Sequence, residues 1–172
     1  MPGWINRWAR QLRHRFLDRD AAHALPADAR ERIAKAIAAS EVQHTGQIRV
    51  YVETALPWSY IRRDAPVRER ALMEFSKLRV WDTEHNNGVL IYLLLTDHAI
   101  EIVADRALAR CVDDAQWKAV ISKLSADLQS GSYEQALLTA VAQVSTLLTG
   151  QFPRTANSAP QGNELPDAPV VR

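Results

Sequence analysis

The stretch "GVLIYLLLTDHAIEIVAD", residues 88–105, decides the fold. Gly88 to Leu95 carries no charge, and turn residues bound the run on both sides. It is far shorter than the ~20 residues a bilayer span needs, and it reads as a central strand covered on both faces. "TDHA" is a turn, and "IEIVAD" is a second strand. So short a connection joins only antiparallel neighbours, so the two form a hairpin. With Leu95 opposite Ile100, Leu90 faces Asp105, which places Asp105 at the start of the central strand beside Asn87 and Gly88.

Toward the N-terminus, "QIRVYVET" alternates. Ile48, Val50 and Val52 point one way, and Arg49, Tyr51 and Glu53 the other, as in a strand with one buried face. Between it and the central strand lies "APVRERALMEFSKL", a helix with Val67, Ala71, Phe75 and Leu78 on its apolar face. Strand, helix, strand in one sheet is a right-handed parallel crossover. Upstream, "LPADARERIAKAIAASEVQHTG" is a helix with Pro26 at its start and early acids Asp28 and Glu31. It ends near His44, with Gly46 as breaker. Downstream, a helix from about Asp113 to Ser130 turns Trp117, Val120, Ile121, Leu124 and Leu128 inward. A second runs from Ser132, with Gln135 as its capping-box partner, to about Leu148. The fold class is α/β: a mixed sheet, parallel pair plus antiparallel hairpin strand, with helices on both faces.

The chain has 172 residues, enough for one domain with a real core. Residues 1–20 form a basic segment in which Trp4, Ile5, Trp8, Leu12 and Phe16 have helical spacing among arginines. It reads as a helix docked on the domain, or as one lying on a membrane surface or a partner. Residues 21–150 are the α/β domain. Residues 151–172 hold four of the eight prolines and no periodic pattern, and read as an extended or disordered tail.

Composition excludes several classes. Residues 21–150 carry 14 basic and 16 acidic side chains, which is no footprint for nucleic acid. A single cysteine, Cys111, rules out an internal disulfide and a cysteine zinc site, and reads as an inert, partly buried thiol. With neither a secretory h-region nor a transmembrane run, the expected location is cytoplasmic. Among the motifs of catalysis, the chain has no HExxH, P-loop, GxGxxG or GxSxG. One ExxH, Glu41 to His44, is half of what a di-iron bundle uses.

The topology nevertheless gathers polar residues at one end of the sheet. The first strand begins there, so the preceding helix brings Glu41 and His44. The crossover helix delivers Asp82 and Glu84, and the hairpin returns Asp105 to Asn87. Glu41, Asp82, Glu84, Asn87 and Asp105 are the expected metal ligands, and their hard oxygens suit calcium or magnesium. The bland alternative is that these residues serve turns and caps. Candidate proton carriers are Glu41, His44 and Asp105. At the opposite end, Arg62 and Arg63 stand in the loop "ALPWSYIRRD", where an anion could bind.

"AIAASEVQHTGQIRVYVE", "VWDTEHNNGVLIYLLLTDHAIEIVADRAL", the "GSYEQAL" junction and the closing "NELPDAPVV" together resemble the TPM-domain family. More narrowly they resemble stand-alone bacterial members, often encoded beside LemA-type proteins. The resemblance implies a sheet with helices on both sides, divalent-cation binding, and weak acid phosphatase activity in some members. In others it implies accessory roles in photosystem repair or receptor assembly. Partners implied are membrane-associated or LemA-type proteins. The family motif carries over the acidic loop Asp82–Asn87 and Asp105. One departure is Ala107, where a glycine usually follows "ADR". The expected function is an accessory or adaptor module with divalent-cation binding, and the alternative is a metal-linked acid phosphatase.

Overall fold

Alternating and continuous apolar runs become neighbours in one four-stranded sheet. The computed structural model describes residues 21–155 and 162–172. Strand β1 (Ile48–Glu53) lies parallel to β2 (Val89–Leu94), with Ile48 beside Val89 and Glu53 beside Leu94. β2 pairs antiparallel with β3 (Ala99–Ala104). A two-residue β4 (Val170–Val171) adds parallel to the other side of β1, so the order is β3-β2-β1-β4. Before β1, a single helical turn at Ala21–Ala24 leads into α1 (Ala27–Glu41). Between β1 and β2 come α2 (Trp58–Arg62) and α3 (Val67–Lys77), and after β3 come α4 (Arg106–Cys111), α5 (Asp114–Ser130) and α6 (Tyr133–Gln151).

Both faces of the sheet are covered. Ile48, Val50, Val52, Val89, Ile91 and Leu93 point into a core shared with α1, α5 and α6. Tyr51, Leu90, Tyr92, Leu94 and Val103 point into a second core with α2 and α3. No helix among the described residues is long and apolar enough to cross a membrane.

Several expectations change. β1 is buried on both faces, because its polar side chains have partners inside. Glu53 accepts both arms of the Arg70 guanidinium at 2.8 and 2.6 Å and the Tyr92 hydroxyl at 2.7 Å. Arg70 also reaches Glu74 at 2.8 Å. Ions taken out of water persist only when paired and hydrogen-bonded in this way.

The hairpin register differs by two residues. Leu93 pairs with Ile100 and Leu90 with Val103, because the turn occupies Leu95–His98 rather than Thr96–Ala99. The His98 amide closes it on the Leu95 carbonyl at 3.1 Å, and Thr54 holds the Thr96 amide. Asp105 still reaches Gly88, as its amide donates to the Gly88 carbonyl at 2.8 Å, one step beyond the strands.

Among the helices, the loop after β1 contains α2, and Asp105 starts the separate short α4. α1 ends at Glu41, before His44. Asp113 and Gln116 form a full capping box on α5. The box expected at Ser132 is absent; the Ser132 hydroxyl meets Ser130 instead. Ile121 is 37% exposed rather than inward, and Cys111 is exposed rather than partly buried. The expected helix over Trp4–Phe16 lies outside the described residues. Residues 162–172 run extended along the domain: the Thr54 amide donates to the Arg172 carbonyl and the Arg172 amide to Val52, both at 2.9 Å.

Candidate functional site

At the leading ends of β1 and β2, three segments meet. The Val89 amide donates to the Gln47 carbonyl at 2.8 Å, so the two strands begin in step. Gly88 permits the approach: a Cβ there would stand 2.0 Å from the Val80 carbonyl oxygen. Asn86 takes the left-handed conformation, φ 51°, which Asn tolerates better than most residues. Its carbonyl accepts from the Ala107 amide at 3.0 Å, and its side-chain oxygen from Arg106. The Ala107 backbone therefore sits directly against the loop even without the glycine common there.

Asn87 is fully buried. Its amide donates to the Thr83 hydroxyl at 3.2 Å and its side-chain nitrogen to the Thr45 hydroxyl at 3.1 Å. Asp105 is 8% exposed, and its Oδ1 accepts from the Arg106 amide at 2.7 Å as the cap of α4. One oxygen of each remains without a partner: Asn87 Oδ1 and Asp105 Oδ2 are buried and unbonded. A buried oxygen left unpaired costs stability, so it marks a place where a ligand or ordered water is expected.

The other expected ligands stand elsewhere. Asp82 is largely exposed, 4.0 Å from Arg79, and Glu84 is exposed. No group of three or more His, Cys, Asp or Glu side chains suited to a metal ion occurs among the described residues. Of the turn-and-cap alternatives, Asp105 and Asp113 do cap helices.

Glu41 lines an open cleft of about 290 Å³ with Gln47, Arg154, Asn163 and Asp167. It is 9% exposed, and its Oε1 accepts from the Ile48 amide at 2.9 Å. Burial pushes its carboxyl up to about 7. The Ile48 hydrogen bond and Arg154 oppose that shift, and the negative charges of Asp167 and Glu164 reinforce it. His44 is fully buried, with Nδ1 bonded to the Gly46 carbonyl at 3.0 Å and Nε2 unpartnered. Burial lowers its affinity for a proton, reinforced by the charge of Arg154 and opposed by the Gly46 hydrogen bond.

Sequence reasoning placed Glu41 at this end but missed the partners that build its cleft. The Gln47 side-chain oxygen accepts from the Glu164 and Leu165 amides at 3.0 and 3.1 Å, and Glu164 accepts from the Glu84 amide at 2.9 Å. Arg49 donates to the Pro166 carbonyl and, at 2.7 Å, to Ala168. The signal was present in "NELPDAPVV", whose closing valines form β4, but a two-residue strand has no periodicity to detect. At the opposite end, Arg63 is tied to Glu69 by two hydrogen bonds.

The TPM domain family matches residues 19–147 of this chain. Among solved structures, the NMR structure of the BA42 protein from the psychrophilic bacterium Bizionia argentinensis is similar. It has a TM-score of 0.73 and 26% identity, over 85% of this chain and 94% of that one. No curated protein matches the chain. The matched span takes in all of β1, β2 and β3, the loop that carries Asn87, and Asp105 at the start of α4, and the chain belongs to the TPM-domain family.

Proposed function

We propose that this TPM domain is an accessory module that holds a divalent cation at the Asn87–Asp105 end of the sheet and works through contact with a partner. The observation that carries the reading is the pair of buried, unpartnered oxygens, Asn87 Oδ1 and Asp105 Oδ2. One carboxylate and one amide oxygen suit magnesium or calcium, which complete their shells with water. The test is a calcium and magnesium titration of the 15N-labelled chain, comparing wild type with Asp105→Asn. Asn keeps the cap on Arg106 and loses only the charge. Shifts at Asn87, Gly88 and Arg106 that vanish in the variant support the site. No binding at millimolar metal, or equal binding by the variant, overturns it.

One further observation favours a second reading, metal-linked phosphomonoester hydrolysis. Glu41, protonated up to about pH 7, shares an open cleft with Arg154. A carboxyl held protonated can donate to a leaving oxygen, and a guanidinium binds a phosphoryl group. The chemistry a bound divalent ion supplies is polarisation of that group. The reading requires hydrolysis of a generic phosphoester that falls above pH 7 and is abolished by Glu41→Gln. A flat profile in wild type or full activity in the variant excludes it.

A further inference from the structure

The two edges of the sheet are treated differently. At the β1 edge, the chain's own residues 162–172 run alongside, with Arg49 holding two of their carbonyls. At the β3 edge no strand among the described residues follows in the sheet order. Because the Asp105 amide bonds inward to Gly88, the alternating ladder turns the N–H and C=O groups of Ile100, Ile102 and Ala104 outward. Arg68 confirms the direction, since its guanidinium donates to the Ile102 carbonyl from outside.

This edge is the floor of a groove of about 440 Å³. Arg68 of α3 forms one wall, Trp117, Lys118 and Ile121 of α5 the other, and Val112 closes one end. Ile102 and Val112 are almost wholly buried below, while Ile121 is 37% exposed. Two cations, Arg68 and Lys118, look into it. Arg68 shares its charge with Glu101 at 3.4 Å, and Lys118 is exposed and has no ion-pair partner among the described residues. Asp114, also in the lining, is already placed at the positive end of α5.

We propose that the β3 edge is a docking groove for an extended acidic peptide, which adds as a fifth strand, seats an aliphatic side chain against Trp117 and Ile121, turns a carboxylate on its other face to Arg68, and meets Lys118 as a charge at the rim. A peptide N–H takes over the Ile102 carbonyl, and the guanidinium it displaces turns to the carboxylate. Backbone bonds supply the adhesion and alternate side chains the selectivity, as in other strand additions. The inference rests on the accessory reading and names its partner class.

The test uses the full chain, 15N-labelled, and a five-residue peptide alternating aspartate with valine, acetylated and amidated at its ends. Expected are amide shifts at Ile100, Ile102 and Ala104 and a shift of the Trp117 indole. Lys118→Glu, on an exposed side chain, should weaken binding about three- to five-fold, as loss and reversal of a rim charge does. Ala104→Pro removes one outward N–H and is compatible with an edge strand; it should weaken binding while leaving the β2 amides in place. The same peptide N-methylated at alternate residues, or with lysine for aspartate, should not bind. Absence of edge shifts at millimolar peptide, binding indifferent to both variants, or equal binding of the lysine peptide overturns the proposal. A dimer by sedimentation, with edge shifts that follow protein concentration, overturns it in favour of a second copy. Calcium binding at Asp105 is read from different amides, so failure at the edge and failure of the cation reading are distinguishable.

Discussion

Glu41 holds one carboxylate oxygen on the Ile48 amide while its charge is disfavoured by burial. Its ordinary value is 4.5 and its folded value about 7. Between the two, the unfolded chain has released the proton and the folded chain has not. Stability therefore falls as pH rises through that window, by at most roughly 3 kcal/mol. Glu41→Gln preserves the acceptor and removes the titration. Urea unfolding across pH 4–8 should show the variant gaining on wild type as pH rises, and equal pH slopes in the two proteins would refute the assignment. His44 acts in the opposite sense. Its folded affinity for protons is lowered, so stability is lost as pH falls from its ordinary value of 6.5. Arg70 is the second residue with large leverage. Arg70→Met leaves Glu53 and Glu74 buried without their shared cation and should cost about 3–5 kcal/mol. Tyr92→Phe removes one hydrogen bond to a charged Glu53 and should cost about 1.5–3 kcal/mol. Denaturant midpoints would rank the two.

At the scale of elements, caps and close approaches set where segments begin. The Asp113 box starts α5, and Asp113→Ala should cost about 1 kcal/mol and fray the first turn in amide exchange. Gly88 matters through space rather than a positive φ, since a methyl there collides with the Val80 backbone. Gly88→Ala should shift the loop carrying Asn87 and lower the melting temperature more than the cap variant does. The C-terminal segment is held by the buried Gln47 and Arg49 side chains and by the pairing of β4 with β1. Deleting residues 163–172 should open the Glu41 cleft and move the Glu41 carboxyl down toward its ordinary range, because Asp167 and Glu164 leave and water enters. Carbon-detected NMR titration of that carboxyl would check it. The helices and strands that the sequence predicts are those with a long enough pattern to repeat; α2, α4 and β4 span too few residues for periodicity to build up.

Over the whole molecule, the arrangement follows from neighbours along the chain. The uncharged run 89–95 required cover on both faces, the short turn required an antiparallel partner, and the crossover helix required a parallel one. The sequence by itself therefore determined the α/β class, the order of the first three strands, and the return of the hairpin to the start of the central strand, since each depends on local pattern and connection length; the pairing of Asp105 with Gly88 rather than Leu90 was set by the turn at Leu95–His98. Tertiary structure decided the rest. Asp82 and Glu84 point outward although they belong to the same loop as buried Asn87, because pairing direction is set by what packs beneath each side chain. Glu41 gains its raised proton affinity from burial, reinforced by the charges of Asp167 and Glu164, residues more than a hundred positions away; Gln47 and Glu164, which pin that neighbourhood, are separated by 117. Periodicity reports which face of an element is apolar. The charge and solvent around one carboxyl depend on distant segments brought together in space, and only the folded chain supplies them.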